Sequence, residues 1–201
     1  MRIRTIAFEG LDGCGKDTSI EKLSELIHSA TWVTPKQIKN ERGEVYGNQD
    51  GETDELHKFM IQSYRKEWSE IQEKCSQIPA NNVLLVNRCW VSHAAIRSSR
   101  TQEPPTWPAE FKPDVVFSIR VDEDLRQKRI TKRAGGFENL NDREKQLHLD
   151  PEFRDGILDA EIELGCIPLR IRNKDPEVVA LRALQILLGM DHFEYHGRRD
   201  I

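Results

Sequence analysis

The sequence predicts a three-layer α/β domain built on a mostly parallel, five-stranded sheet. Three observations carry that prediction. Short apolar segments alternate with amphipathic helical patterns along the chain. Two of the segments, Asn82–Val86 and Asp114–Ile119, are continuous apolar runs, as expected of strands covered on both faces. The first strand pattern, Arg4–Phe8, runs directly into a glycine cluster followed by a helical pattern.

The elements follow in order. After the strand at Arg4–Phe8, a helix over Lys16–Ala30 is predicted from the apolar spacing of Ile20, Leu23, Leu26 and Ile27. Thr31–Thr34 reads as a second, short strand. A long amphipathic helix then covers about Thr53 to Gln77 and leads to the strand at Asn82–Val86. The strand at Asp114–Ile119 precedes helices over about Asp122–Arg133 and Pro151–Leu164. Cys166–Ile171 supplies the fifth strand. Pro176–Leu188 closes the series as a helix, with proline at its first position. Lys36–Glu52 and Ala134–Leu149 carry no assignable period, and long loops inside a compact domain are usually functional or mobile. The second of them is expected to be a lid. No repeat or linker divides the chain, so residues 1–201 are expected to form a single domain.

Composition narrows the partners. Lys and Arg number 30 against 34 Asp and Glu, a balance without the global field of a nucleic-acid polymer or membrane binder. The four cysteines, Cys14, Cys75, Cys89 and Cys166, form no CxxC pair and are expected to be free thiols. No apolar run approaches the ~18 residues needed to span a bilayer. The charged start Met1-Arg2-Ile3-Arg4 enters a strand directly, which predicts no cleaved leader. A cytoplasmic location is expected.

The chemistry concentrates in Gly10-Leu11-Asp12-Gly13-Cys14-Gly15-Lys16, a GxxxxGK sequence between a buried strand and a helix start. Glycines let successive backbone N–H groups turn towards phosphate oxygens. The helix N-terminus adds partial positive charge, and Lys16 supplies an ammonium for the β and γ phosphates. One position departs from this P-loop pattern. The hydroxyl that follows the lysine and holds Mg²⁺ is replaced by Asp17, with Thr18 next. Asp17 has two readings, a first-turn acid complementing the helix dipole or a carboxylate ligand for Mg²⁺.

The stretch Phe8-Glu9-Gly10-Leu11-Asp12-Gly13-Cys14-Gly15-Lys16 resembles the thymidylate kinase family, whose loop reads FEGxDGxGKTT. Three further stretches resemble its motifs in order. Asn87-Arg88-Cys89-Trp90-Val91-Ser92-His93-Ala94-Ala95 is similar to DRYxxSxxAYQ. Lys112-Pro113-Asp114 with Val121-Asp122 is similar to PDLxxxLDV. Arg129-Ile130-Thr131-Lys132-Arg133 with Asp142-Arg143-Glu144 is similar to the lid sequence RIxxR…DRxE. The resemblance implies a P-loop kinase fold with a mobile lid over about residues 134–149. It also implies transfer of the γ-phosphoryl group of ATP, with Mg²⁺, to a nucleoside monophosphate, dTMP first. Gly10, Gly13, Cys14, Gly15, Lys16, Asp17, Thr18 and Arg129 would face ATP. Arg88 would grip the acceptor phosphate, Asp12 would lie beside the acceptor sugar, and Ser92 and Arg65 would reach the base. Lid cations, Arg133 and Arg143 above all, would neutralise the transferred group, because the loop itself carries no arginine.

The departures from the family cluster at the acceptor. Its base-stacking Phe is Ile61 and its sugar-side Tyr is Ile96, which leaves Trp90 or Tyr64 as alternative stacking rings. Its REPGG loop is Val33-Thr34-Pro35-Lys36-Gln37, where Lys36 could restore a charge. Its DRY aspartate is Asn87. With Asp17 replacing the loop hydroxyl, this reads as one negative charge moved between two loops. Asp17→Thr should then impair Mg²⁺-dependent activity, and Asn87→Asp should restore much of it. The family is commonly dimeric through helices, and Phe59, Trp68 and Ile71 could form such a face, although apolar stripes at that spacing more often face a core. Among rival functions, Asn173-Lys174-Asp175 approaches the guanine-reading NKxD of GTPases but has Pro176 in the last position. The tail Met190–Ile201 is expected to be a flexible end.

Overall fold

The structure, a computed structural model, describes residues 3–33, 53–106, 108, 110, 112–171 and 175–190. Lys36, the rest of the loop to Glu52, Asn173, Lys174 and the tail beyond Met190 lie outside the described residues.

Twelve elements run in the order β1 (Thr5–Glu9), α1 (Lys16–Leu26), β2 (Ala30–Val33), α2 (Asp54–Gln77), β3 (Val83–Asn87), α3 (Trp90–Thr101), then β4 (Val115–Val121), α4 (Glu123–Ala134), α5 (Asp142–Leu149), α6 (Pro151–Glu163), β5 (Ile167–Ile171) and α7 (Pro176–Leu188) among the described residues. The sheet order is β2-β3-β1-β4-β5. All four pairings are parallel, with Ile6 opposite Leu85 on one side and Val115 on the other. Parallel strands need crossovers, and the helices supply them.

Side chains alternate along β1. Ile6 and Phe8 point into a core with Ile20 and Leu23 of α1 and Val179, Ala183 and Leu187 of α7. Ala7 points the other way, towards Met60, Tyr64, Trp68 and Ile71 of α2 and Trp90 of α3. This is the three-layer arrangement expected, and it consumes the rings that could have stacked on a base. Tyr64 and Trp90 are 7% and 2% exposed and meet edge to face at 5.4 Å. The indole N–H of Trp90 donates to the Thr106 carbonyl at 3.1 Å. Trp68 and Ile71 are likewise buried within this chain.

A third cluster joins α3 to α6 through Ala95, Ile96, Phe153, Ile157 and Ala160, and draws in Leu11 and Leu147. The two helices approach closely at Gly156, where a Cβ would lie 2.7 Å from Ser99 Oγ. At the opposite end of the sheet, Asp114 fastens β1 to the start of β4. Its Oδ2 accepts from the backbone N–H of Arg4 and Thr5 and from the Thr5 hydroxyl, each at 2.8 Å.

Several boundaries differ from the sequence expectation. Helix α1 ends at Leu26, because Ile27 turns extended to feed β2 at Ala30. Helix α3 was not expected. Seven consecutive residues, Trp90 to Ile96, are buried, so no amphipathic stripe marks it. Within 134–149, α5 forms behind a capping box in which Asn141 and Glu144 satisfy each other's backbone N–H. Asp175 accepts from the Glu177 N–H at 2.9 Å and caps α7, a structural task in place of guanine reading.

Candidate active site

The site forms where β1 and β3 end. Between Glu9 and Lys16 the chain turns through Gly10, Gly13 and Gly15 at φ 125°, 86° and 94°, left-handed values that favour glycine. At Gly10 space requires it too, since a Cβ would meet the Ile119 carbonyl oxygen at 2.5 Å. The loop opens α1, so its N–H groups and the helix dipole face the same region. Lys16 is buried and folds back on the loop, donating to the carbonyls of Gly10 (2.7 Å) and Leu11 (3.1 Å). Arg129 lies across the outside of the loop, with Nη1 3.4 Å from the Gly13 carbonyl and 3.5 Å from that of Cys14. Asp17 and Thr18 are exposed in the first turn of α1.

Asp12 is the hub. One carboxylate oxygen accepts from Arg88 Nη2 at 2.5 Å and the other from Arg143 Nη2 at 2.7 Å. Burial works to raise the Asp12 carboxyl, but the charges of Arg88, Arg143 and Lys16 overcome it and hold the group well below the usual carboxylate range. Arg88 has the left-handed φ of 70°, which turns its side chain back over the loop. Its Nη1 donates to Ser92 Oγ at 3.0 Å and lies 4.0 Å from Glu9. Burial disfavours the Arg88 charge, yet Asp12 and Glu9 hold the guanidinium above its ordinary value.

Asp12, Arg88, Ser92, Ile96 and Arg143 line one cavity, together with Leu147, Ile157 and Glu161. It measures about 20 Å³, about the room one water needs. The remaining expected residues lie apart from it. Ile61 is half-buried on α2 against the Trp90 cluster. Arg65 is 61% exposed and pairs with Glu110 at 3.5 Å. Arg133 reaches Glu144 at 2.5 Å, so it ties α4 to the start of α5 and leaves the phosphate side to Arg143.

Three charged residues of the site escaped the sequence reading. Glu9 is fully buried and accepts from the Cys89 N–H (2.6 Å) and the Ser92 hydroxyl (2.5 Å), fixing the turn that presents Arg88. Arg126 is 2% exposed. It grips Glu123 at 2.7 and 2.6 Å, the Asp12 carbonyl at 3.1 Å and the Leu147 carbonyl at 3.3 Å, so one guanidinium joins loop and α5. Glu161 is 2% exposed, accepts from Ser118 Oγ at 2.5 Å, and is pushed up to about 7 by burial and by the Glu9 charge. A signal existed for the last: with Phe153, Ile157 and Ala160 it lies on the apolar face of α6, where an acid is out of place.

The residues present fit a divalent cation brought in with phosphate. Asn87 Nδ2 donates to Asp17 Oδ1 in a short contact, while Asn87 Oδ1 is buried with no partner. Among the described residues no group of three or more His, Cys, Asp or Glu side chains could hold a metal. A cation here would therefore complete its shell with phosphate oxygens.

Among the described residues no helix is long and apolar enough to cross a membrane. No curated protein sequence matches the chain. Among solved structures, a thymidylate kinase from Candida albicans superposes with a TM-score of 0.67 at 13% identity, over 98% of this chain and 96% of that one. A thymidylate kinase from Ehrlichia chaffeensis gives 0.56 at 19% identity, over 94% of this chain and all of that one. Both agree with the fold. The family model described as Thymidylate kinase matches residues 8–162, a span that runs from the P-loop strand through the arginine hub to α6, and the chain belongs to the thymidylate kinase family.

Proposed function

We propose that this chain works as a single cytoplasmic domain that phosphorylates dTMP from ATP, using Asp12, Lys16, Arg88 and Arg143 as its phosphate-handling residues. The observation that supports this division of labour is the convergence of Arg88 and Arg143 on the Asp12 carboxylate, at 2.5 and 2.7 Å. Two guanidiniums brought together from β3 and from α5 mark a place for an anion.

The glycine loop takes the triphosphate, and Lys16 leaves the Gly10 and Leu11 carbonyls for phosphate oxygens. Arg88 holds the acceptor phosphate, oriented by Ser92 and Glu9. An acceptor oxygen then attacks the γ-phosphorus as the bond to the ADP oxygen breaks, and Lys16, Arg129 and Arg143 balance the charge on the transferred group. When bound, Mg²⁺ supplies further neutralisation of the β and γ oxygens, held by Asp17 with Asn87 behind it. A cavity of about 20 Å³ cannot admit a nucleotide, so Arg143 must part from Asp12 first. Residues 134–149, which carry α5, thus serve as the lid. Ile96 forms the apolar wall beside the acceptor.

The test is ADP release measured with ATP, Mg²⁺ and a panel of nucleoside monophosphates. The highest kcat/KM is expected with dTMP. A response that is flat across every monophosphate removes the kinase reading.

A further inference from the structure

The sequence analysis paired Asp17 with Asn87, and the structure puts them in contact. Asn87 ends β3, opposite Phe8, and its Nδ2 donates to Asp17 Oδ1. A carboxylate only accepts, so the amide must turn its NH₂ towards Asp17. That leaves Asn87 Oδ1, on a side chain 5% exposed, buried with nothing to accept from. Buried polar atoms without a partner are rare enough to need an explanation. Asp17 itself is exposed in the first turn of α1, beside the loop that would cradle phosphates.

In the usual P-loop the residue after the lysine is a neutral hydroxyl, and the acid lies at the end of a neighbouring strand. Here the acid is on the loop and the strand end is a neutral amide. The consequence is electrostatic. A hydroxyl does not repel a free triphosphate, whereas a carboxylate in the first helical turn competes with it for the same N–H groups and dipole. A cation between them turns the repulsion into attraction. At distances of about 5–8 Å and an effective dielectric of about 20, one such charge pair changes affinity on the order of tenfold to a hundredfold.

We propose that Asp17, clamped by Asn87, makes this P-loop select nucleoside triphosphate as its divalent-cation complex, so that binding itself depends on the cation. Asn87 is the positioning residue. It fixes one oxygen of Asp17, leaves the other for the cation, and offers its own Oδ1 to a cation-bound water. This rests on the reading that the loop binds ATP, but on nothing about the acceptor.

The experiment is ATP binding by titration calorimetry, without acceptor, in excess Mg²⁺ and in excess EDTA. Wild type should bind at least tenfold more weakly in EDTA. Asp17→Asn, which keeps the shape and the bond to Asn87, and Asp17→Thr should bind in EDTA nearly as well as in Mg²⁺, within about threefold. Asn87→Ala should weaken binding of the Mg²⁺ complex several-fold and leave cation-free ATP unaffected. Equal Mg²⁺ dependence in wild type and Asp17→Asn overturns the proposal, as does a wild type that binds ATP equally in both conditions. Thermal melts of each variant separate misfolding from lost discrimination. Failure of the monophosphate panel would sink the kinase reading and leave this result standing.

Discussion

Replacing Glu161 by Gln should stabilise the protein above neutral pH and flatten its pH dependence. Folded Glu161 titrates at about 7 against an ordinary 4.5, raised by burial and by the charge of Glu9. The native state therefore holds this proton more tightly than the unfolded chain does. The associated stability is full below about 4.5 and is lost as pH rises through about 7. At about 1.36 kcal/mol per unit the complete loss is about 3.4 kcal/mol, of which about 2.5 kcal/mol falls between about pH 5 and about pH 8. Gln cannot ionise, and its carbonyl can still accept from Ser118 Oγ, which now donates to Glu161 at 2.5 Å. Every other titrating group is common to both proteins, so the difference between their curves isolates this one. Urea unfolding of wild type and Glu161→Gln at both pH values gives the comparison. Parallel pH dependences, with a constant offset between the two proteins, would refute the assignment of a raised, buried acid at the cavity wall.

Arg143→Ala should lower kcat on the order of 10²–10³, since it removes a cation from the transferred group. Arg133→Ala, which only frees Glu144, should cost less than about tenfold; equal losses in steady-state kinetics would contradict this split. Asp114→Ala leaves three donors at the start of β1 without their shared acceptor and should destabilise by about 3 kcal/mol in denaturant titrations. Gly156→Ala sets a methyl 2.7 Å from Ser99 Oγ and should cost about 1–3 kcal/mol by melting, partly recovered by adding Ser99→Ala.

The nucleotide loop was legible in the sequence because its geometry admits few residues. Three left-handed turns require glycine, and the flanking strand and helix carry their own periods. The arginine hub was legible only residue by residue. The sequence named Asp12, Arg88 and Arg143 but could not join them, since the bonds span 76 and 131 residues. Arg126 was passed over because most arginines are exposed, and nothing local reveals that this one reaches the Asp12 carbonyl 114 residues away. Helix α3 was hidden for the opposite reason. A helix buried on every side has no polar face to set its period. The Asp17 and Asn87 exchange was visible as two paired departures, and the structure supplied the contact that links them.

The strand order has a consequence for synthesis. Strand β1 is made first yet occupies the centre of the sheet, and it depends on β3 and β4 for both of its edges. Its anchor at Thr5 waits for Asp114, 109 residues later. At about 5–20 residues per second, the ribosome leaves this apolar strand unpartnered for roughly 5–20 s. Every pairing of the sheet is non-local, so no hairpin forms early to shelter it. The phosphate loop is therefore among the first segments to leave the ribosome and among the last to gain its final surroundings.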